Sequence, residues 1–275
     1  MLFRSVLRLW GLSDRVLIID EAHAYDAYMA QEMERQLEFQ AALGGSAIVL
    51  SATLPDKQRA RLETAFARGL CVKHARQPMS AYPLLTQVAR AGIAVDPLPS
   101  RQDRTRTLPV RRVASFEDAA GHVSAMVARG CALAWIRNSV DDAIEAASEL
   151  RQRGHDPVLL HARFAMGDRL KIEENLCATL GREDKTGKRR GFLIVGTQIL
   201  EQSLDYDVDA MVIDSAPIDL MIQRAGRLWR HTERMGRPVG EPELCVFAPD
   251  PAQVADRDWY RQMSKRAAAV YGHTD

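Results

Sequence analysis

The chain of 275 residues lacks the features that would place it in a membrane or mark it as a strongly charged protein. Its apolar runs fall short of the ~18–20 residues that span a bilayer. The first eleven residues read as an amphipathic helix interrupted by Arg4 and Arg8, which is not the pattern of a signal peptide. Basic and acidic side chains number 37 and 36, for a net charge of +1. This balance excludes a basic or polyacidic tail but not a single basic groove.

Cysteine is scarce and scattered. The four cysteines at positions 71, 131, 177 and 245 form no C-x-x-C pair and no cluster with histidine. This spacing excludes a zinc site built on cysteine and argues against a disulfide framework. Isolated thiols of this kind are typical of a reducing cytosol, so we expect a cytoplasmic protein.

The sequence contains no phosphate loop of the form G-x-x-x-x-G-K-[ST]. The segment nearest to it, Gly181–Lys188, has five residues between its glycines instead of four, and it precedes the apolar run at Phe192 instead of following a strand. Such a loop cradles the phosphates of a nucleotide. A nucleotide site in this chain would therefore have to obtain that cradle elsewhere.

Short apolar runs alternate with helical patterns along most of the chain. Unbroken runs rich in Val, Ile and Leu predict strands that are buried on both faces, as in a parallel sheet covered by helices. In such sheets, ligands bind outside the carboxyl ends of the strands. The predicted strands are Val16–Ile19, Ala47–Leu50, Cys131–Ile136, Pro157–Leu160, Phe192–Val195, Ala210–Ile213 and Glu243–Phe247.

A proline-rich segment suggests where one domain ends and the next begins. Residues 76–112 contain five prolines and a basic stretch, which indicates a linker with a short strand near Tyr82–Thr86. We expect a first domain at 1–80, a linker at 81–112, a second domain at 113–250 and a C-terminal helix at 251–275. Ser115, with Asp118 three residues later, predicts a helix start.

Two polar motifs follow the first two predicted strands. Asp20 and Glu21 end the first strand, where one carboxylate can hold Mg²⁺ and the other can orient or deprotonate the attacking water in phosphate chemistry. The alternative is a strand end that is merely acidic. Ser51 and Thr53 follow the second strand, so their hydroxyls are expected beside the acids if the two strands are neighbours.

Two further motifs lie in the second half. Residues 219–228 predict a helix, and Arg227 and Arg230, three apart on one helical turn at its end, are expected to share a face suited to a triphosphate. The alternative is a solvated basic helix end. Gly196, Thr197 and Gln198 follow another strand and offer backbone amides and a hydroxyl to a phosphate. Asp205 could accept a hydrogen bond from a ribose hydroxyl.

In this order, the motifs D-E-A-H, S-A-T, G-T-Q-x-x-E-Q-S-L-D and Q-R-A-G-R-L-x-R-H resemble the later motifs of superfamily-two helicases. The flanking sequences around residues 24–26, 135–140, 160–164 and 216–220 narrow the resemblance to the CRISPR-associated helicase–nuclease of type I interference systems. The resemblance covers roughly residues 5–250. It implies an α/β fold of two RecA-like domains with parallel sheets, the first one lacking its early part.

The resemblance also implies roles for individual residues and partners. ATP and Mg²⁺ would be bound, and single-stranded DNA would be moved after recruitment by a crRNA-guided surveillance complex. Asp20 would organise the metal and Glu21 would act on water. Arg227 and Arg230 would be arginine fingers. His23 would bind at the nucleotide site and help to couple ATP to DNA, Gln223 would sense the nucleotide, and Asp205 would lie near the ribose. The remaining assignments are coupling of hydrolysis to domain movement for Ser51 and Thr53, and a place near the DNA backbone for Thr197 and Gln198.

Two hypotheses from different classes follow. The first is an ATP-dependent DNA helicase module whose phosphate loop and nuclease domain lie outside these 275 residues, the loop coming from a longer protein or from a separate chain. The second is a non-catalytic nucleic-acid-binding remnant or split subunit that needs a partner chain. An RNA helicase would share the same motor motifs.

Overall fold

The computed structural model describes residues 10–11, 15–22, 25, 27–73, 79, 81–99, 107–201, 204–250 and 252. The chain divides into two compact units, residues 1–106 and 107–275. The motif residue His23 and the expected C-terminal helix, apart from position 252, lie outside the described residues. Among the described helices, none combines the length and apolar character needed to cross a bilayer.

The first unit contains a small parallel sheet and two helices, followed by a hairpin. The first two strands pair in parallel, with Ile19 opposite Val49. The elements are β1 (Leu17–Ile19), α1 (Ala27–Ala42), β2 (Ala47–Val49), α2 (Asp56–Gly69), β3 (Leu84–Ala89) and β4 (Gly92–Pro97).

Only one face of the β1–β2 sheet packs against the core of its unit. Ile19 is buried with Met33 and Leu37 of α1, whereas Ile18 and Ile48 on the other face are 62% and 47% exposed. Parallel sheets are ordinarily covered on both faces. The described part of this unit therefore presents an apolar sheet surface that it does not itself cover.

The segment expected to hold one short strand forms a two-stranded hairpin instead. Strands β3 and β4 pair antiparallel, with Leu84 opposite Pro97. Gly92 makes the return possible, because its φ of +148° is open to glycine and strained for other residues. A bond from the Arg59 guanidinium to the Thr86 hydroxyl, at 3.3 Å, links α2 to the hairpin. The domain bounds set from the sequence remain predictions.

The second unit is built on a six-stranded sheet with helices between its strands. The elements of this unit are β5 (Val110–Val113), α3 (Phe116–Ala128), β6 (Leu133–Ile136), α4 (Val140–Gln152), β7 (Val158–Leu160), α5 (Met166–Leu180), β8 (Leu193–Gly196), a 3₁₀ turn (Gln198–Leu200), β9 (Ala210–Asp214), α6 (Ile218–Ala225) and β10 (Glu243–Phe247). The strands lie in the order β5-β10-β9-β6-β8-β7, and every pairing among them is parallel. This confirms the predicted α/β class.

The sheet of the second unit is covered on both faces. Strands β6, β8 and β9 are buried along their whole length. Alternate residues of β6 serve opposite cores, with Ile136 in one cluster and Trp135 in the other. The expected helix start is confirmed, since the Ser115 hydroxyl accepts the amide of Asp118 at 3.0 Å. Helix α4 starts in the same way at Ser139.

Candidate functional site

The acid pair lies at the carboxyl end of β1. The carboxylate of Asp20 accepts the backbone amide of Glu21 at 2.9 Å, and both side chains are exposed. Glu21 has a φ of +50°, which is uncommon outside glycine and redirects the chain as it leaves the strand. Two solvent-exposed carboxylates thus lie at the carboxyl ends of the strands, where ligands of α/β sheets commonly bind.

The serine–threonine motif lies next to the acid pair. The amide of Leu50 donates to the carbonyl of Ile19 at 2.8 Å, and the amide of Ala22 donates back to Leu50 at 3.0 Å. The Ser51 hydroxyl donates to the carbonyl of Thr53 at 2.9 Å and so closes the turn. The expectation that the two strands are neighbours is confirmed, because parallel pairing carries both motifs to one edge.

The carboxyl edge of the larger sheet carries a buried ion pair. Arg137 follows β6, and its Nε donates to both carboxylate oxygens of Asp214 at 2.9 and 3.0 Å. The guanidinium carbon lies 5.2–5.6 Å from the ring centroids of Phe116, Trp135 and Phe247. Asp214 also accepts the amide of Asn138 at 3.0 Å. These contacts join the ends of β6 and β9.

A second buried pair joins α6 to the segment after β8. Arg224 Nε donates to Glu201 Oε1 at 2.7 Å, and the side chains are 0% and 2% exposed. The same guanidinium reaches the Asn138 side-chain oxygen at 3.1 Å and the Asp214 carbonyl at 3.0 Å. Burial raises the pKa of Glu201, and the charge of Arg224 opposes that rise. We refer to Arg137, Asn138, Glu201, Asp214 and Arg224 as the carboxyl-edge cluster.

Thr197 and Gln198 flank this cluster. Thr197 is buried and its amide donates to the carbonyl of Leu160 at 3.3 Å. The Gln198 side-chain amide donates to the carbonyl of Asn138 at 3.1 Å. Gly196 before them is required sterically, since an added Cβ would lie 2.6 Å from the carbonyl oxygen of Leu160. Gln223 is half-buried on α6.

The expectation that Arg227 and Arg230 share a helical face is wrong. Helix α6 ends at Ala225, and the chain then turns so that Leu228 forms a parallel bridge with Val208. Arg227 donates to the carbonyl of Glu201 at 2.8 Å. Arg227 therefore lies in a turn and Arg230 in the loop that follows. The helix ends here because Leu228 pairs with Val208, just before β9, instead of continuing the helical hydrogen bonds.

Arg230 is paired with the aspartate expected at the ribose. Its Nε donates to Asp205 Oδ1 at 2.7 Å, and His231 Nε2 lies 3.2 Å from the same oxygen. Desolvation opposes ionisation of Asp205, but its bonds to Arg230 and His231 outweigh this and lower its pKa. Both Asp205 and Arg230 remain partly exposed, at 59% and 41% of their side chains. A polyanionic ligand could compete for this arginine.

A second ionic group lies at the amino end of β9. Asp207 and Asp209, both fully buried, bind three guanidinium groups at distances of 2.7–3.2 Å. Asp209 also accepts the amide of Ala132 at 3.0 Å, just before β6. We call this set the amino-edge clasp; its arginines are Arg189, Arg234 and Arg237.

The acid pair has the ligand chemistry that Mg²⁺ takes in proteins. Among the described residues, no group of three or more His, Cys, Asp or Glu side chains could hold a metal. Magnesium is usually bound through one or two carboxylates, with water and phosphate oxygens completing its shell. Asp20 and Glu21 supply such a set.

Local sequence does not identify the ion pairs of the carboxyl-edge cluster. Arg224 and Glu201 both lie inside the motifs described above, but no local pattern marks them, or Arg137 and Asp214, as buried partners. The sequence does offer one indication of such pairs, which is a charged residue next to a buried apolar run. Charged side chains in such positions are rarely buried unless they are paired. The pairing partners are 23 and 77 residues apart in sequence, so spacing could not identify them.

Comparison with known proteins identifies relatives along most of the chain. Residues 129–233 match the family model described as CRISPR-associated nuclease/helicase Cas3, C-terminal. The Cas3 nuclease/helicase of Streptococcus thermophilus is 36% identical over 233 residues, covering 82% of this chain and 25% of that protein.

Solved Cas3 structures are similar to this chain in fold as well. The T. fusca Cas3–AMPPNP structure matches with a TM-score of 0.82 at 31% identity, covering 96% of this chain and 32% of that one. A chain of a CRISPR RNA-guided surveillance complex in a pre-nicking state matches with a TM-score of 0.81 at 31% identity, covering 96% and 34%. The chain thus spans about a quarter to a third of these relatives. Residues 129–233 match the Cas3 C-terminal family, and the chain is related to the helicase region of the CRISPR-associated Cas3 nuclease/helicases.

Proposed function

We propose that the chain is part of an ATP-dependent motor that moves along single-stranded DNA in CRISPR interference. The observation that carries this proposal is the register of β1 and β2, which puts Asp20 and Glu21 beside Ser51. An acid pair next to a small hydroxyl turn suits a site where hydrolysis must be communicated to movement. The T. fusca Cas3 relative was crystallised with the ATP analogue AMPPNP, which supports ATP as the nucleotide.

The proposed chemistry gives each motif a separate role. Mg²⁺ held near Asp20 would neutralise charge on the phosphates, while Glu21 orients the attacking water or accepts its proton. Arg227 and Arg230 would stabilise the charge that develops on the transferred phosphate. Gln223, Asp205 and His23 would contact or sense the nucleotide, and Ser51 and Thr53 would couple hydrolysis to movement.

The phosphate cradle must come from elsewhere in the assembled motor. The 275 residues contain no phosphate loop, although they carry the acids and arginines that would act on the phosphates. The exposed apolar side chains of Ile18 and Ile48 offer a surface on which a further segment could pack. We propose that a longer protein or a separate chain supplies that segment together with the loop.

Single-stranded DNA is the proposed substrate for translocation, with Thr197 and Gln198 near the DNA backbone. Recruitment by a crRNA-guided surveillance complex is supported by the relative found in such a complex. The alternative, a non-catalytic nucleic-acid-binding subunit, predicts binding without any motor activity. An RNA track is distinguished by comparing the salt dependence of binding to single-stranded DNA and RNA.

The decisive experiment measures DNA-stimulated ATP hydrolysis of the chain joined to a phosphate-loop segment taken from upstream sequence or from a relative. We expect stimulation that Glu21→Gln and Arg227→Ala each abolish. Lys171→Ala, at an exposed position on α5, is the matched control and should leave the rate unchanged. Absence of hydrolysis in the joined protein, with DNA binding intact, would favour the non-catalytic alternative.

A further inference from the structure

Trp229 has a backbone conformation that bulky side chains rarely adopt. Its φ is +50°, in the left-handed region favoured by glycine. Strain of this kind persists only where surrounding contacts impose it, and it concentrates at functional sites. Trp229 stands between Arg227 and Arg230, just beyond the end of α6 at Ala225.

Backbone bonds hold this turn. The Trp229 amide donates to the carbonyl of Val208 at 3.0 Å, and the Val208 amide donates to the carbonyl of Arg227 at 3.2 Å. Leu228, between them, is fully buried. These bonds tie the turn to the chain just before β9 and prevent α6 from continuing through the two arginines.

The indole ring provides a second anchor. Its Nε1 donates to the carbonyl of Asp209 at 3.1 Å. The Arg237 guanidinium carbon lies 4.6 Å from the ring centroid, within the range of a cation–π contact. Arg237 is itself held by Asp207 and Asp209 in the amino-edge clasp. Trp229 is thus fixed through both its backbone and its ring.

Because of this turn, Arg227 and Arg230 contact different ends of the segment that runs from Glu201 to Asp205. Arg227 reaches the carbonyl of Glu201 at 2.8 Å, whereas Arg230 reaches the Asp205 carboxylate at 2.7 Å. On an uninterrupted helix, residues three apart would lie one above the other on the same face. The conformation of Trp229 therefore determines how the two guanidinium groups are separated and oriented.

We propose that Trp229 is a positioning residue, which sets the separation of Arg227 and Arg230 for a polyphosphate chain. The inference rests on the proposed function, because that function makes the two arginines ligands of a nucleoside triphosphate. The indole touches no phosphate. It acts through the turn that it anchors, and the amino-edge clasp holds Arg237 against it.

The test uses the 275-residue chain labelled with ¹⁵N-arginine and two variants. Trp229→Gly accepts a φ of +50° without strain but loses the ring, whereas Trp229→Phe keeps a ring for Arg237 and loses the indole N–H. In Trp229→Gly we expect the guanidinium N–H signals of Arg227, which donates through Nη2, and of Arg230, which donates through Nε, to shift and lose their protection from exchange. Trp229→Phe should restore both signals.

Arg137 is the internal control, because it is buried in the carboxyl-edge cluster and is not in contact with Trp229 in any described interaction. Its signal should stay unchanged in both variants. The positioning role is overturned if Trp229→Gly leaves the Arg227 and Arg230 signals as in the wild type. It is also overturned if the Arg137 signal is lost together with them, since that would mark a general loss of structure.

A titration with tripolyphosphate separates this inference from the proposed function. In the wild type we expect tripolyphosphate to shift the signals of both arginines together, and in Trp229→Gly we expect the joint shift to be lost. Failure of the wild type to respond would count against the proposed function, while the exchange measurements would still decide the positioning role. An equal joint response in Trp229→Gly would overturn the positioning role.

Discussion

Arg224 and Glu201 form an ion pair inside the second unit, with Nε and Oε1 2.7 Å apart and almost no exposure of either side chain. The pair fastens α6, which carries Gln223, to the segment after β8, which carries Thr197 and Gln198. This one buried contact thus connects Gln223, which is expected to contact a nucleotide, with Thr197 and Gln198, which are expected to lie near DNA. A shift of α6 would be transmitted through this contact to the segment after β8.

Breaking this pair should destabilise the second unit strongly. Arg224→Met leaves the Glu201 carboxylate buried without its cation, which typically costs about 3–5 kcal/mol of unfolding free energy. Denaturant unfolding monitored by circular dichroism measures the loss. Adding Glu201→Leu to Arg224→Met should recover part of it, because the uncompensated charge is then removed.

The exposed pair of Asp205 and Arg230 is the matched control for that experiment. Arg230→Gln, which leaves the contact of Asp205 with His231 in place, should change the unfolding free energy by less than about 1 kcal/mol, since ion pairs in contact with solvent contribute little. If Arg224→Met cost no more than this control, the buried pair would not hold α6 in the way described.

Gly196→Ala should disturb the turn into the Gly-Thr motif. The new methyl group would lie 2.6 Å from the Leu160 carbonyl oxygen and 2.7 Å from a Leu200 methyl carbon, so the backbone must move. We expect a loss of roughly 1–3 kcal/mol, the range typical of overpacking. Thermal melting of the purified variants provides the comparison.

Gly121→Ala is the control for that substitution within the same unit. Position 121 lies inside α3, and an added Cβ meets nothing within 4 Å. Alanine should therefore stabilise by about 0.5–1 kcal/mol through its higher helix propensity. Equal effects of the two substitutions would contradict the steric role of Gly196.

Acidification should destabilise the second unit through His122. Burial lowers the pKa of this imidazole below its ordinary value of 6.5, against the attraction of Glu243 and together with the repulsion of Arg111. The unfolded chain consequently binds the proton more readily, and stability falls as the pH drops through about 6.5. Unfolding free energies between pH 8 and pH 5 measure the slope.

His122→Asn should reduce that slope, because the variant cannot take up the proton. The difference between wild type and variant isolates His122 from the carboxylates that titrate at lower pH. A slope identical in both proteins would show that His122 does not contribute.

The 275-residue chain alone should hydrolyse ATP negligibly. Backbone amides and the lysine of a phosphate loop supply most triphosphate contacts in motors of this kind, and this sequence has no such loop. A phosphate-release assay with single-stranded DNA tests this. Robust DNA-stimulated hydrolysis, abolished by Glu21→Gln, would contradict the prediction.

The first 80 residues should exchange their amide hydrogens faster than residues 113–250. The described sheet of the first unit has two strands and leaves Ile18 and Ile48 exposed, whereas the second unit buries three central strands completely. Less buried apolar surface means a lower free energy of local opening. Hydrogen-exchange mass spectrometry measures this, and uniform protection across both segments would refute it.

Much of the architecture could be read from local patterns. The strands at β1, β2, β6, β8 and β9 coincide with unbroken apolar runs, and Ser115 starts its helix as expected. The pairing of β1 with β2 followed from their succession in an α/β chain. The β3–β4 hairpin was harder to predict, because Pro83 and Pro97 made its strands resemble a linker.

Local sequence by itself therefore determined the α/β class, the strands and the polar motifs that follow them, because hydrophobic periodicity and turn chemistry act over a few residues. Tertiary structure alone decided where α6 ends and what Arg227 and Arg230 contact. The bond from Trp229 to Val208 and the pair of Arg224 with Glu201 join residues more than twenty positions apart. Helical spacing carries no information about such long-range partners, whose hydrogen bonds and buried charges outweigh the local preference for continuing the helix.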